Sequence, residues 1–466
     1  MLLTLSSRVV QFIIMFLTVR VMTTVLSPDE YGKVAIITAI TAFFAFFFIN
    51  PVGTYINRHL NEWNKTGSLG HVFKQYLVYL LLVSNLAFAI VFFVDGFGIY
   101  SLPDGATLAL LVAITLFFAT ANQTLIPSLN ILGKTTAFSW LTMGTAAGTL
   151  TGAVLATQLL HTNAFTWLAG VVFGQALLAV AAWLYLSRNS TLGWSNQPPY
   201  QHKTRLIGKP VFSFGLPVAL SAGFIWLHLH GYRLVLGELV SLTELGLFAA
   251  GYTLAIQVVA AVELILNTWF QPVFYKDCDS ESSAVQSSAW SKYACNIWLP
   301  AALAVSALVS GAPFFVRFML GDGYQNTVHY VQLGALVEFG RILVGVSGLY
   351  FHQHKQTNKL IFPSAAGAVV ALLLVLLWVP QYGVSSTLPA LFVGCLLSFG
   401  WLLFLIPKSS RPSLRAWMNL LKGVLLALFL LIICMVFQIQ LADYWLWVWT
   451  VLWTVVGVIY LKMRIQ

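Results

Sequence analysis

The sequence predicts an all-α polytopic membrane protein: fourteen transmembrane helices arranged as two pseudo-symmetric six-helix lobes, with two extra helices at the C-terminal end. Three observations predict it. Of 466 residues, 59% are hydrophobic and 8% charged, with a mean hydropathy of +0.85, whereas soluble domains carry about one-quarter charged residues. Apolar runs of about 20 residues recur from end to end, each long enough to cross ~30 Å of hydrocarbon as a helix. The basic residues gather on alternate connections, as cytoplasmic loops require.

The runs lie at 6–26, 33–57, 72–94, 106–131, 136–160, 164–187, 210–238, 244–274, 289–310, 325–351, 359–379, 385–406, 416–437 and 443–461. The opening "MLLTLSSRVVQFIIMF" lacks a basic region and a small-residue cleavage site, so it reads as a retained first span. With the N-terminus inside, eighteen of the 24 Lys and Arg residues fall on inner loops and ends, against only Lys33 and Arg317 outside. Both termini are therefore expected in the cytoplasm of a bacterial inner membrane. The formal charge of +10 belongs to this topology; nucleic acid is not an expected partner, since no soluble basic module is present. Four scattered cysteines, Cys278, Cys295, Cys395 and Cys434, indicate neither a disulfide framework nor a metal knuckle.

The longest hydrophilic stretch, from 188 to 209, divides the first twelve spans six and six. The expected organisation is an N-terminal lobe at 1–190, a cytoplasmic linker at 191–209, a C-terminal lobe at 210–407 and two further spans at 408–466. Across the linker the chain echoes itself: Ser27, Glu30 and Gly32 match Ser241, Glu244 and Gly246 in a Ser-x-x-Glu-x-Gly pattern, each following the first span of its half. Parallel repeats of this kind are a transporter signature, with the binding site expected at mid-membrane depth between the repeats.

Charges inside spans cost about 2.5–3.5 kcal/mol each on insertion scales, so they mark interiors or wet cavities. Arg20 and Arg233 take nearly equivalent positions when the repeats are overlaid, and His230 shares a helical face with Arg233. Glu338 and Arg341 stand three apart near mid-depth; they read either as a self-neutralising ion pair or as part of the site. Glu263, Asn267 and Gln271 form a polar stripe in which Glu263 is a lone acid suited to exchanging ions. Arg20, His230, Arg233 and Arg341 are the candidate substrate-binding residues, because guanidinium forks match phosphate oxygens. Glu263, Glu338 and Asn267 are the candidate ion-coupling or structural group. Outward snorkelling is the alternative for Arg20 and Arg233.

Other patterns carry less. "HLH" at 228–230 and "HQH" at 352–354 send their rings apart on a helix, so no metal site is expected. "LGKTT" at 132–136 lacks the first glycine of a phosphate loop and reads as a short turn. The small-residue run "GTAAGTLTGAVLA" at 144–156 predicts close helix packing. No catalytic residue and no cofactor is indicated.

Four segments carry a family resemblance: "LSPDEYGKVAI" from Leu26, "GTYINRHLNE" from Gly53 with its Arg58, "YRLVLGELVSLTELGLFAAGYTLA" from Tyr232, and "FMLGDGYQNTVHYVQLGAL" from Phe318. Their order and spacing resemble the Wzx-type polysaccharide and O-antigen flippases, the polysaccharide branch of the superfamily that includes the MATE multidrug exporters (the MOP superfamily). Tyr232 stands where those proteins often carry an acid, and Thr24 where many carry an arginine. The resemblance implies a MATE-like two-lobed bundle and a substrate consisting of an oligosaccharide repeat unit linked through pyrophosphate to a polyprenyl lipid, moved from the cytoplasmic to the outer leaflet without bond chemistry. It further implies membrane lipids, a polysaccharide polymerase and chain-length machinery as partners, and H+ or Na+ coupling. A multidrug cation exporter and a peptidoglycan lipid-precursor flippase are the alternatives within the superfamily. A polytopic glycosyltransferase or polymer ligase is disfavoured by the short outer loops.

Overall fold

The computed structural model describes residues 2–96, 105–189, 192–194, 219–220, 222–279, 283–354 and 356–413, with single positions at 417, 418, 421, 425, 429 and 432. Residues 195–218, which take in most of the linker expected at 191–209 and the start of the seventh span, and almost all of the last two expected spans lie outside the described residues. Two compact units are present, Met1–Gly237 and Glu238–Gln466. Among the described residues every regular element is a helix.

The first unit begins with α1 (Leu2–Val25). Ser27 then caps α2 (Pro28–Phe44), accepting a hydrogen bond from the Glu30 amide, and Pro28 sits in the first turn where its missing N–H costs nothing. A π-helical turn, Ala45–Ile49, joins α2 to α3 (Asn50–Lys65) without a break. The continuous helix Pro28–Lys65 has 38 residues. At 1.5 Å per residue it is about 57 Å long, well beyond the ~30 Å hydrocarbon core. A turn with Gly67 at φ +72° leads to α4 (Leu69–Gly96); α5 (Gly105–Ile131), α6 (Thr135–Leu159) and α7 (Ala164–Arg188) follow.

The expected close approach at 144–156 is present. A Cβ on Gly152 would run into the Gly170 carbonyl, and one on Gly174 into the Gly148 carbonyl, so α6 and α7 touch backbone to backbone. Without a hydrophobic force between helices in lipid, such contact supplies the packing energy. The α6 hydroxyls of Thr142, Thr145 and Thr157 donate to carbonyls a turn earlier, which hides their polarity inside the helix. Beyond the linker, the first unit takes in a second π-helical turn, Leu227–Gly231, and α8 (Tyr232–Leu239) up to Gly237.

The second unit contains α9 (Leu242–Cys278), α10 (Ser283–Met319), α11 (Val328–Gln353), α12 (Ile361–Tyr382) and α13 (Thr387–Leu405). Ser241 starts α9 as Ser27 starts α2, with nearly the same backbone angles. Here Glu244 also returns a bond to the Ser241 amide, closing a capping box. Glu30 instead reaches across to accept from the Ala164 amide at 2.7 Å, tying the start of α7 to α2. Gly383, at φ +76°, makes the turn between α12 and α13.

Nine described helices are long and apolar enough to cross a membrane, and Val9–Val25 is a shorter apolar helix. The count of fourteen therefore rests partly on residues outside the described ones. Helices α4 and α12 are the most apolar and the least enclosed; the Asp322–Gln353 segment containing α11 is the least apolar and the most enclosed. That inversion is what a lipid solvent demands, since polar groups are tolerated only where protein surrounds them. By contacts the seventh span joins the first unit, because the Trp226 indole N–H donates to the Ala39 carbonyl at 3.0 Å. Counting by repeats places the same span at the head of the second half.

Candidate functional site

The enclosed helix α11 carries Glu338 and Arg341 three residues apart. Arg341 Nε donates to Glu338 Oε2 at 2.6 Å, and its Nη2 donates to Glu263 Oε2 of α9 at 2.7 Å. The Tyr252 hydroxyl, also on α9, donates to Glu338 Oε1 at 3.0 Å. One guanidinium thus serves two carboxylates, and with both ionised the cluster carries a net charge of −1. Glu338 is 1% exposed, whereas Glu263 and Arg341 are 22% and 33% exposed, so the Glu263 arm is the one open to exchange. One turn along α9, Asn267 Oδ1 accepts from the Tyr293 hydroxyl of α10 at 2.7 Å. The polar groups therefore link α9, α10 and α11.

This arrangement corrects one sequence expectation. Glu263 is not a lone acid: Arg341 partners it across the helix pair. The Glu338–Arg341 pairing agrees with the ion-pair reading, and it leaves Arg341 doubly engaged. Tyr252 was legible in principle, since it precedes Glu263 by eleven residues, three helical turns, and so shares its stripe.

In the first unit Arg233 is 7% exposed. Its Nε donates to the Tyr232 hydroxyl at 3.3 Å, so the tyrosine that replaces the expected acid still offers the guanidinium an oxygen. His230 lies within the electrostatic reach of Arg233, packs edge-on to Phe46 at 5.9 Å between ring centroids, and its buried Nδ1 has no hydrogen-bond partner among the described residues. Arg20 is on α1 and half-buried, and its carbonyl accepts from the Thr24 hydroxyl at 2.8 Å. Arg233 is thus the more enclosed of the two arginines that the repeat overlay pairs.

Sequence periodicity assumes 3.6 residues per turn and misses the π-helical turns at Ala45–Ile49 and Leu227–Gly231. The two meet, Phe46 of one against His230 of the other. Phe43 packs on Trp226 in the same contact, ring centroids 5.0 Å apart. Single π turns inside α-helices concentrate at functional positions, and the second one ends two positions before Arg233.

The family profile described as "Polysaccharide biosynthesis protein" matches residues 21–329. The chain belongs to this family. The match covers well over half of the chain and bears out the resemblance to polysaccharide flippases. No curated protein matches the sequence. Among solved structures, the lipid II flippase MurJ in an inward closed conformation is similar with a TM-score of 0.73 at 12% identity, over 100% of this chain and 99% of that one. An inward-facing MATE-family multidrug transporter of the MOP superfamily is similar at a TM-score of 0.65 and 13% identity, over 90% and 95%. The MATE multidrug transporter DinF-BH is similar at 0.60 and 18%, over 86% and 94%. At these identities the likeness establishes the fold, and this polysaccharide biosynthesis protein has the fold of the MOP superfamily.

Proposed function

We propose that the protein is a flippase that carries a polyprenyl-pyrophosphate-linked oligosaccharide unit from the cytoplasmic to the outer leaflet of a bacterial inner membrane. It works by alternating access through a cationic cavity, with halves at 1–190 and 210–407, both termini cytoplasmic, and no bond made or broken. The observation that carries the reading is Arg233, a buried guanidinium within a spanning segment of a polysaccharide-family chain. An exporter of organic cations would place acids there instead. Arg20, His230 and Arg233 form the anion-binding group on this reading, and a guanidinium fork accepts two phosphate oxygens at once.

Arg341 takes a second role. Glu263 and Glu338 hold it until a proton or Na+ neutralises the more exposed Glu263; Nη2 is then released to the incoming phosphate. Asn267 and Tyr293 supply neutral oxygens beside the released carboxylate. The test is surface polymer in cells carrying Arg233→Ala or Arg233→Lys at unchanged protein level. Alanine is expected to abolish it and lysine to retain part; normal polymer with alanine overturns the assignment.

A further inference from the structure

A cavity of about 360 Å³ opens at one end of the second unit. Lys276, Lys359 and Lys408 each stand within five positions of a lining residue, Cys278, His354 and Ser410 respectively, and the positive-inside pattern assigns this end to the cytoplasm. Trp290 of α10 and Tyr350 of α11 form two of its walls, buried rings meeting at 78° with centroids 5.9 Å apart. Both rings are fixed. The Trp290 indole N–H donates to the Val346 carbonyl at 2.9 Å, and His354 stacks on Tyr350 at 4.2 Å.

The polar groups of the lining remain available. His354 Nδ1 bonds the Tyr350 carbonyl at 2.8 Å, which requires the proton on Nδ1 and leaves Nε2, an acceptor in the neutral ring, out of that bond. Gln286 uses its amide N–H on the Cys278 carbonyl at 2.9 Å, which leaves its oxygen. The hydroxyls of Tyr350 and Ser410 also line the cavity, with no side-chain hydrogen bond to another described residue.

Elimination narrows the ligand. Among the described residues no Lys, Arg, Asp or Glu lines the cavity, so none of them supplies a counter-charge to phosphate, and burying an unpaired charge is costly. No group of three metal-ligating side chains exists among the described residues. An acyl chain would leave the hydroxyls and the imidazole nitrogen desolvated and unpaired. A neutral ring with a C–H face for the aromatic wall and a rim of hydroxyls for the polar atoms fits each element, since aromatic faces are electron-rich and attract C–H edges. The volume falls within the range of small-ligand sites, roughly 300–1,000 Å³.

We infer that this cavity is a binding site for a neutral sugar ring, a second contact to the glycan besides the arginines proposed to grip its phosphates. The inference rests on the proposed function for the source of the sugar, but its test does not. Cys278 lines the cavity and reports on it. In the purified full-length protein with Cys295→Ser, Cys395→Ala and Cys434→Ala, the rate of Cys278 modification by methyl methanethiosulfonate is measured with glucose, galactose or N-acetylglucosamine, with glycerol or inorganic phosphate as controls. At least one sugar should slow labelling three-fold or more while the controls do not, and the protection should vanish with Tyr350→Phe plus His354→Ala.

If the thiol fails to react, saturation-transfer NMR of the same sugars on the wild-type and doubly substituted proteins reads the same contrast. Equal effects of sugars and phosphate, no effect of any sugar, or protection that survives the double substitution overturns the site. Sugar protection in a protein whose Arg233→Ala variant still exports normal polymer would keep this site and sink the phosphate-gripping role instead.

Discussion

Arg341→Ala should be the most destabilising single change in the charged cluster, and the structure sets its size. Glu338 is 1% exposed, and without the guanidinium its remaining hydrogen bond among the described residues comes from Tyr252. Removing one partner of a buried ion pair costs about 3–5 kcal/mol, because the other charge stays buried and uncompensated. A Coulomb check agrees: unit charges 4 Å apart in an effective dielectric of 20 attract by about 4 kcal/mol. The Glu263 arm is partly exposed at both ends, so Glu263→Gln should cost about 1 kcal/mol, the scale of a solvated pair. Unfolding free energies from denaturant titration in micelles should therefore rank Arg341→Ala above Glu338→Gln and Glu338→Gln above Glu263→Gln. Arg341→Ala combined with Glu338→Gln should recover most of the loss, because a neutral amide can stay buried beside Tyr252. An Arg341→Ala protein within about 1 kcal/mol of wild type, or a double variant no more stable than the single, refutes the argument.

Glu263→Gln should leave uptake of labelled lipid-linked oligosaccharide into vesicles insensitive to an imposed proton or Na+ gradient, while wild-type uptake responds; a retained response removes Glu263 from coupling. Ser241→Ala opens the capping box at the start of α9 and should lower unfolding free energy by about 1 kcal/mol, measured by the same titration. Gly174→Leu forces a side chain into the Gly148 carbonyl and should cost about 1–3 kcal/mol as overpacking, with Gly53→Leu, which meets open space, as the control that stays near wild type.

Legibility followed the physics of each feature. Helix positions were readable because lipid enforces long apolar runs; Ser27 and Ser241 were readable as matching repeat positions, and their capping role emerged with the structure. The Gly148–Gly174 approach was half readable: one small-residue run was visible, but its partner helix was not. The Arg341–Glu263 bond joins residues 78 positions apart, and nothing local in either helix announces it. The π turns were hidden because an extra residue in a turn alters no composition, only the register in which His230 and Phe46 meet.

The inequality of two acids to one arginine has a consequence for coupling direction. With Glu263 and Glu338 both ionised, a phosphate approaching Arg341 must displace a carboxylate and then sit beside it, so like-charge repulsion opposes binding. Neutralising Glu263 removes that competitor and its share of the repulsion, while Glu338 stays on Nε. Proton or Na+ binding and substrate binding at this cluster are therefore positively linked, and linkage is reciprocal: substrate must raise the affinity for the neutralising ion by the same factor that the ion raises affinity for substrate. Had the cluster been one acid to one arginine, phosphate capture would free a single carboxylate into a neutral surrounding, and ion dependence would be weaker. Substrate affinity measured across pH or Na+ concentration in wild type and in Glu263→Gln decides the matter: the wild-type value should rise with the ion, while the glutamine variant should bind at the high-affinity level throughout. Equal ion dependence in both proteins defeats the linkage at this carboxylate.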